Sequence, residues 1–243
     1  MKAVAVIPAR YDSSRFPGKP LAEMGTKTII RHVYENAVNS GLFYQVIVGT
    51  DDQRIFEEVE AFGGRVVLTG RNHQSGTDRI AEVCRNYPAC HNADIIVNIQ
   101  GDEPFISRQP LEKILAAFAD NEVQVASLMC KTKQEDDPNI VKVVCDKNNF
   151  AIYFSRSVIP FDRDKSRDFE YFKHIGIYAF RKEMLFHFVD LPIGRLEKIE
   201  KLEQLRLLEN GIRIKMVETD YQGIGIDTPE DLEKARKLFK STC

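Results

Sequence analysis

What is scarce in this chain constrains it before what is abundant. No apolar run approaches the ~20 consecutive residues that a membrane-spanning helix needs, so membrane insertion is not expected. Neither sign of charge is in excess: 34 Lys and Arg stand against 36 Asp and Glu, for a net charge of −2. That excludes a nucleic-acid binder working by bulk electrostatics, and any anion site must be local. The five cysteines are scattered and odd in number, the usage of reduced thiols in a cytoplasmic protein. Cys84 and Cys90-His91 match no usual zinc spacing, and no second ligand pair exists. The stretch from Met1 to Pro8 is too short for a signal peptide and lacks a cleavage site. There is no nucleophile elbow for Ser/His/Asp catalysis. No G-x-G-x-x-G follows a strand, and Lys19 is followed by Pro20 where a Walker loop needs Ser or Thr.

What is present is ordinary globular composition, 43% hydrophobic and 29% charged over 243 residues. This suffices for a sizeable core in one large or two small domains. Ala3–Pro8, Gln45–Thr50, Arg65–Thr69 and Asp94–Ile99 are short Val- and Ile-rich runs, the pattern of strands buried on both faces. Between them, Ile30, Val33, Ala37 and Val38 recur at helical spacing before Ser40-Gly41. Ile55, Val59 and Phe62 do so before Gly63-Gly64, and Ile80 and Val83 mark a third helix. Strand–helix alternation with short connections predicts a parallel sheet with right-handed crossovers. The second half is more mixed, with strands expected at Val123–Cys130, Val141–Cys145, Phe150–Phe154, His174–Phe180 and Arg213–Val217. Leu196–Asn210 reads as one helix with Leu196, Ile199, Leu202 and Leu205 on a single face and Gly211 as its stop. Thr228-Pro229 starts a last helix. The charged stretch Asp162–Glu170 is the candidate for a mobile loop, with a simple solvated connection as the alternative.

In an open parallel sheet, ligands bind beyond the carboxyl ends of the strands. The connection after the first strand carries Arg10, Arg15 and Lys19, with Ser13, Ser14 and Gly18. It is much longer than the ~2–6 residues that linking a strand to a helix takes. Arginine forks and a lysine point charge on a turn rich in backbone N–H groups make a polyphosphate cradle. Asp102, after Gly101 and just past the fourth strand, stands where a Mg²⁺ ligand would meet a phosphate; turn capping is the alternative. Asp227, before Thr228, is a second such carboxylate, with helix capping as its alternative. Ser75-Gly76-Thr77-Asp78-Arg79 opens the third helix and can hold a nucleobase or phosphate, or simply cap through Thr77 or Asp78. Arg156, His174 and Glu203-Gln204 are polar positions beside apolar stretches, and each taken singly reads more readily as structural.

Seven motifs in order carry a resemblance over nearly the whole chain. They are Ile7-Pro8-Ala9-Arg10-Tyr11 with Arg15-Phe16-Pro17-Gly18-Lys19-Pro20-Leu21; Ser75-Gly76-Thr77-Asp78-Arg79; and Asn98 with Gln100-Gly101-Asp102-Glu103-Pro104. There follow Tyr153-Phe154-Ser155-Arg156; Lys173-His174-Ile175-Gly176 with Tyr178; Leu202-Glu203-Gln204-Leu205-Arg206; and Asp227-Thr228-Pro229-Glu230-Asp231-Leu232. The sequence resembles the CMP-Kdo synthetases, which activate 3-deoxy-manno-octulosonate (Kdo) with CTP for lipopolysaccharide assembly.

The resemblance implies a nucleotide-diphospho-sugar transferase (GT-A-like) α/β fold, with a mixed, mainly parallel sheet flanked by helices and a smaller α+β dimerisation part. It implies a homodimer, Mg²⁺ as cofactor, and CTP and an acidic sugar as partners. Residues 1–122 would bind nucleotide and residues 123–243 the sugar and the second subunit, with 218–243 returning to the core. Arg10, Arg15 and Lys19 would hold the triphosphate, and Pro8, Ala9, Ser75, Arg79 and Gln100 would surround cytosine and ribose. Asp102 and Asp227 would bind Mg²⁺, and Arg156, His174, Tyr178, Glu203 and Gln204 would contact the sugar. One stretch departs from the pattern: Gly194-Arg195 stands where many members have Pro or a small polar residue, as in some relatives that use the 8-amino analogue of Kdo. A related-fold glycosyltransferase and a nucleotide-sensing module are rival readings. The sensing module is disfavoured by the joint presence of Asp102, Asp227 and Lys19.

Overall fold

The computed structural model describes residues 1–13, 15–73, 75–164 and 169–242. They form two compact units, Met1–Leu111 with Gly223–Cys243, and Glu112–Gln222. The first apolar run becomes β1 (Ala3–Ala9), whose residues Val4 to Ile7 are fully buried. Burying each of its Val and Ile side chains contributes about 1.5–3 kcal/mol before chain entropy is counted. A short hairpin, β2 (Glu23–Met24) and β3 (Lys27–Thr28), leads into α1 (Ile29–Asn39), capped by the Thr28 hydroxyl. Then come β4 (Gln45–Thr50), α2 (Gln53–Ala61) capped by Asp52, β5 (Val66–Leu68), α3 (Gly76–Asn86), α4 (Pro88–His91) and β6 (Ile95–Asn98). Strands β6, β1, β4 and β5 lie in that order and all parallel, with Val6 opposite both Ile47 and Asn98.

The expected strands and their helical connections are all there, with one difference. The residues of β5 are not buried on both faces: among the described residues the strand pairs only with β4, and Leu68 is about half exposed. Cys84 and Cys90 lie buried in α3 and α4. Helix α5 (Arg108–Ala116) carries the chain from the first unit into the second.

In the second unit, β7 (Val125–Thr132) is followed by the hairpin β8 (Lys142–Cys145) and β9 (Ala151–Ser155), then by the long β10 (Tyr171–Arg181). After α6 (Lys182–Asp190), α7 (Arg195–Glu200) and α8 (Leu205–Glu209) comes β11 (Ile214–Glu218). Strand β7 pairs parallel with β11 and antiparallel with β10, and β8 pairs antiparallel with β10. The mixed pairing matches the mixed pattern of the second half. Of the charged stretch Asp162–Glu170, positions 165–168 lie outside the described residues. The chain re-enters the first unit as α9 (Pro229–Thr242).

The single helix expected over Leu196–Asn210 is corrected to two. Lys201 adopts φ 56°, a left-handed conformation that stops α7. No residue of α7 is buried and Ile199 is 67% exposed, so the apolar face read from the spacing does not form. The two short helices fold back on each other through a bidentate ion pair, Arg206 to Glu197 at 2.6 and 2.8 Å. The Glu209 carboxylate accepts the N–H groups of Arg195 and Leu196 at 2.9 and 3.0 Å, capping α7 from outside its own sequence. A Cβ on Gly194 would stand 1.8 Å from Glu209 Oε2, which accounts for the glycine at this position.

Candidate active site

Beyond the carboxyl ends of the first unit's parallel strands lies a cavity of about 480 Å³. Every predicted phosphate, base and metal residue reaches it: Pro8 and Ala9 from the end of β1, Arg10, Arg15 and Lys19 from the long connection, Ser75 and Arg79 from α3, Gln100 and Asp102 after β6, and Asp227 before α9. The connection is folded on itself, with Gly18 N–H donating to Tyr11 at 2.9 Å and Lys19 N–H to Phe16 at 3.2 Å. A Cβ on Gly101 would come within 2.9 Å of the Pro8 carbonyl, so glycine lets the segment carrying Asp102 close over β1. The returning chain is tied on by Ile226 N–H to the Asp102 carbonyl at 3.0 Å.

Charge converges on one point. Lys19 Nζ lies 2.6 Å from Asp102 Oδ2 and 3.1 Å from Asp227 Oδ1, and Arg15 reaches Asp227 Oδ2 at 3.0 Å. Capping is taken over elsewhere. Thr228 Oγ1 receives the Asp231 N–H and Asp231 receives the Thr228 N–H, which leaves the Asp227 carboxylate directed to the two cations. Two carboxylates with hard oxygen donors suit Mg²⁺, which commonly takes one or two protein carboxylates and completes its shell with water and substrate phosphates. Among the described residues no group of three or more metal-ligating side chains exists.

On the base side, the structure refines two expectations. The cap of α3 is Ser75 in a reciprocal box with Asp78 at 3.0 and 3.1 Å, so Asp78 takes part in the cap as expected, with Ser75 as its partner. Arg79 is 4% exposed and is held by Asp51 at 3.0 Å and by the Thr69 hydroxyl. Its guanidinium therefore braces the ends of β4 and β5 from the pocket wall. Sequence reading missed His73, which also lines the cavity and is held by Glu82 of α3. Burial raises the Glu82 carboxyl, but the Gly70 N–H and the His73 ring outweigh it and hold the group below its ordinary value. The available signal was an imidazole two residues before a capping serine, with a carboxylate two turns into the helix.

The expected sugar residues all lie in the second unit. His174 and Tyr178 flank an irregularity in β10, their rings 5.3 Å apart. The Ser127 hydroxyl donates to the Ile177 carbonyl at 2.9 Å, so its contact with His174 Nε2 at 2.8 Å makes the ring nitrogen the donor. Burial drives this imidazole down to about 3, leaving it neutral. Burial, and then the Glu203 carboxylate, push the Tyr178 hydroxyl well up. Glu203 and Gln204 occupy the break between α7 and α8, not the flank of one helix. Gln204 is 5% exposed, and its Nε2 has no hydrogen-bond partner among the described residues.

Arg156 follows β9, its Nε donating to the Glu200 carbonyl at 3.0 Å and its Nη1 to Pro138 at 3.1 Å. Lys142, unremarked in the sequence, is fully buried. Its ammonium donates to the carbonyls of Asp137, Ile140 and Arg156 at 2.9, 2.7 and 2.5 Å. It pairs with Ser155 on one side and Lys173 on the other, which sets Arg156 and His174 across β8 from each other.

Comparison with known proteins follows this geometry. A family model described as cytidylyltransferase matches residues 4–214. A 3-deoxy-manno-octulosonate cytidylyltransferase of Flavobacterium johnsoniae is 52% identical over 99% of both chains. One from Solibacter usitatus is 49% identical over 99% of this chain and 96% of its own. A solved CMP:2-keto-3-deoxy-manno-octonic acid synthetase complexed with CTP superposes with a TM-score of 0.95 at 43% identity, each chain fully covered. No helix among the described residues is long and apolar enough to cross a membrane.

Proposed function

This chain belongs to the cytidylyltransferase family, with the 3-deoxy-manno-octulosonate cytidylyltransferases as relatives over its whole length, and we propose that it converts CTP and Kdo into CMP-Kdo and pyrophosphate. The observation that carries the reading is the meeting of Lys19 and Arg15 with Asp102 and Asp227 in the cavity above the parallel sheet. A nucleoside triphosphate needs cations and metal-binding carboxylates in one place, and the relative solved with CTP has the same fold at high identity.

In the reaction the anomeric hydroxyl oxygen of the sugar bonds to the α-phosphorus. The bond to the α–β bridging oxygen breaks, pyrophosphate leaves with the electron pair, and the hydroxyl releases its proton. The obstacle is repulsion, because an anionic sugar must approach an anionic triphosphate. Positioning and charge neutralisation are therefore the main work. Arg10, Arg15 and Lys19 hold the phosphates and offset the charge that grows on the leaving pyrophosphate. Asp102 and Asp227 would hold Mg²⁺, which would supply neutralisation of phosphate charge and a lowered pKa for the attacking hydroxyl. Pro8, Ala9, Ser75 and Gln100 border the base and ribose, with His73 as an addition to that wall.

The sugar is assigned to the second unit. Arg156 offers a planar fork to its carboxylate, and His174, Tyr178, Glu203 and Gln204 meet its hydroxyls. The buried, unpartnered Nε2 of Gln204 supports this, because such a donor gains a partner when a ligand arrives. The glycine of Gly194-Arg195 is accounted for by the Glu209 cap, and the choice between Kdo and its amino analogue falls to the assay. Assembly as a homodimer is part of the reading, and sedimentation of the purified chain tests it.

Pyrophosphate release from CTP is the deciding assay, run with Kdo, 8-amino-Kdo and a sialic acid. Release with Kdo at the highest kcat/KM is expected. A tenfold preference for the amino sugar, about 1.4 kcal/mol, would transfer the assignment to that substrate. Absence of release with every acidic sugar would overturn the function.

A further inference from the structure

One ammonium serves both carboxylates assigned to the metal. Lys19 Nζ bonds Asp102 at 2.6 Å and Asp227 at 3.1 Å, and its side chain is only 12% exposed. Arg15, the other cation on Asp227, is 59% exposed. The two contacts differ in kind, since an ion pair shielded from water is screened far less than an exposed one. Lys19 is also anchored at its backbone, where its N–H bonds Phe16 and its carbonyl receives the Ala22 N–H. The carboxylates are anchored independently, one behind β6 and one ahead of α9, joined by the Ile226 to Asp102 hydrogen bond. The ammonium is thus a flexible arm meeting two fixed acceptors.

A divalent cation and this ammonium need the same oxygens, and like charges at contact distance repel. An ammonium has donors and no acceptors, so a triphosphate, with its many anionic oxygens beside Lys19 in the cavity, can draw it from the carboxylates.

We propose that Lys19 is an internal counter-ion that closes Asp102 and Asp227 to divalent metal until the nucleotide arrives. The triphosphate draws the ammonium away, the carboxylates open, and metal enters, so that nucleotide and metal bind with positive coupling. By linkage each must then raise the affinity for the other by the same factor. The proposal rests on the reading of Asp102 and Asp227 as metal ligands and adds to it an order of events that this reading does not contain.

The test is metal binding by the full chain without nucleotide, with Mn²⁺ as probe and its free paramagnetic signal as readout. Lys19→Met keeps the length of the side chain and removes its charge. It should bind Mn²⁺ about tenfold more tightly than the wild type, the scale of losing one competing charge contact. Lys19→Arg, which keeps a cation, should stay near the wild-type affinity. Adding Asp102→Asn to Lys19→Met should abolish the gain.

A second measurement uses the wild type alone and so does not depend on any variant folding. Acylation of Lys19 by an amine-reactive ester, read by peptide mass spectrometry, should rise several-fold as Mn²⁺ saturates the protein. Equal Mn²⁺ affinity in the wild type and Lys19→Met, or unchanged Lys19 acylation, overturns the counter-ion while leaving the metal ligands standing. A gain that survives Asp102→Asn overturns both.

Discussion

The ammonium of Lys142 donates to the backbone carbonyl of Arg156, 14 residues away, at 2.5 Å. Burial lowers the Lys142 pKa, yet among the described residues no carboxylate bonds its ammonium; three carbonyls do so instead. Lys142→Met should leave those carbonyls unsatisfied and cost about 1–3 kcal/mol of stability, read by denaturant unfolding. It should also raise the KM for Kdo with the KM for CTP unchanged, since the displaced residue is Arg156. Arg156→Lys should show the same split without the loss of stability. Equal effects on both substrates would move this pair from the sugar site to the scaffold.

Lys19→Ala should lower turnover by roughly 10²-fold, the scale of one strong transition-state contact, and leave the fold intact. Asp102→Asn and Asp227→Asn should each nearly abolish Mg²⁺-dependent pyrophosphate release. Wild-type turnover by Asp227→Asn would reduce that residue to a neighbour of the Thr228 cap.

His174 gives stability a pH dependence. Its ordinary value of 6.5 falls to about 3 in the folded chain, so between the two the unfolded chain carries a proton that the folded chain does not. Stability should therefore decline as pH drops below 6.5, with a slope of up to ~1.4 kcal/mol per pH unit. Glu35, Asp52, Glu82 and Asp231 are held below their ordinary values, and they add to the decline only as pH falls through the carboxylate range. Between about pH 5 and 6.5, His174→Gln should flatten the curve. A slope unchanged in that variant would show that the ring takes up a proton in the folded state.

Gly194→Ala drives a methyl into Glu209 and should destabilise the α7–α8 hairpin by about 1–3 kcal/mol. Combining it with Glu209→Ala should recover part of that loss, because the clash is gone while the lost cap remains. Additive losses in the double variant would mean that the two residues do not meet.

Much was decided by the sequence alone, wherever the information is local. Four Val- and Ile-rich runs separated by helical spacing satisfy their backbones as a parallel sheet, and they pair so here, three of them buried and β5 partly exposed. Ordered motifs along the whole chain were enough to point to the family. Leu196–Asn210 shows the limit: its apolar spacing is genuine, but a left-handed Lys201 and a cap from Glu209 break the helix, and periodicity registers neither. The commitment of Arg79 to Asp51, just past β4, and the reach of the Lys142 ammonium to the carbonyl of Arg156, just past β9, depend on how separate segments meet. The meeting of Lys19 with Asp102 and Asp227 spans 83 and 208 residues of chain. Only the folded chain brings those charges within hydrogen-bond distance, because side-chain contacts follow the paths of separate strands and helices and not the order of residues.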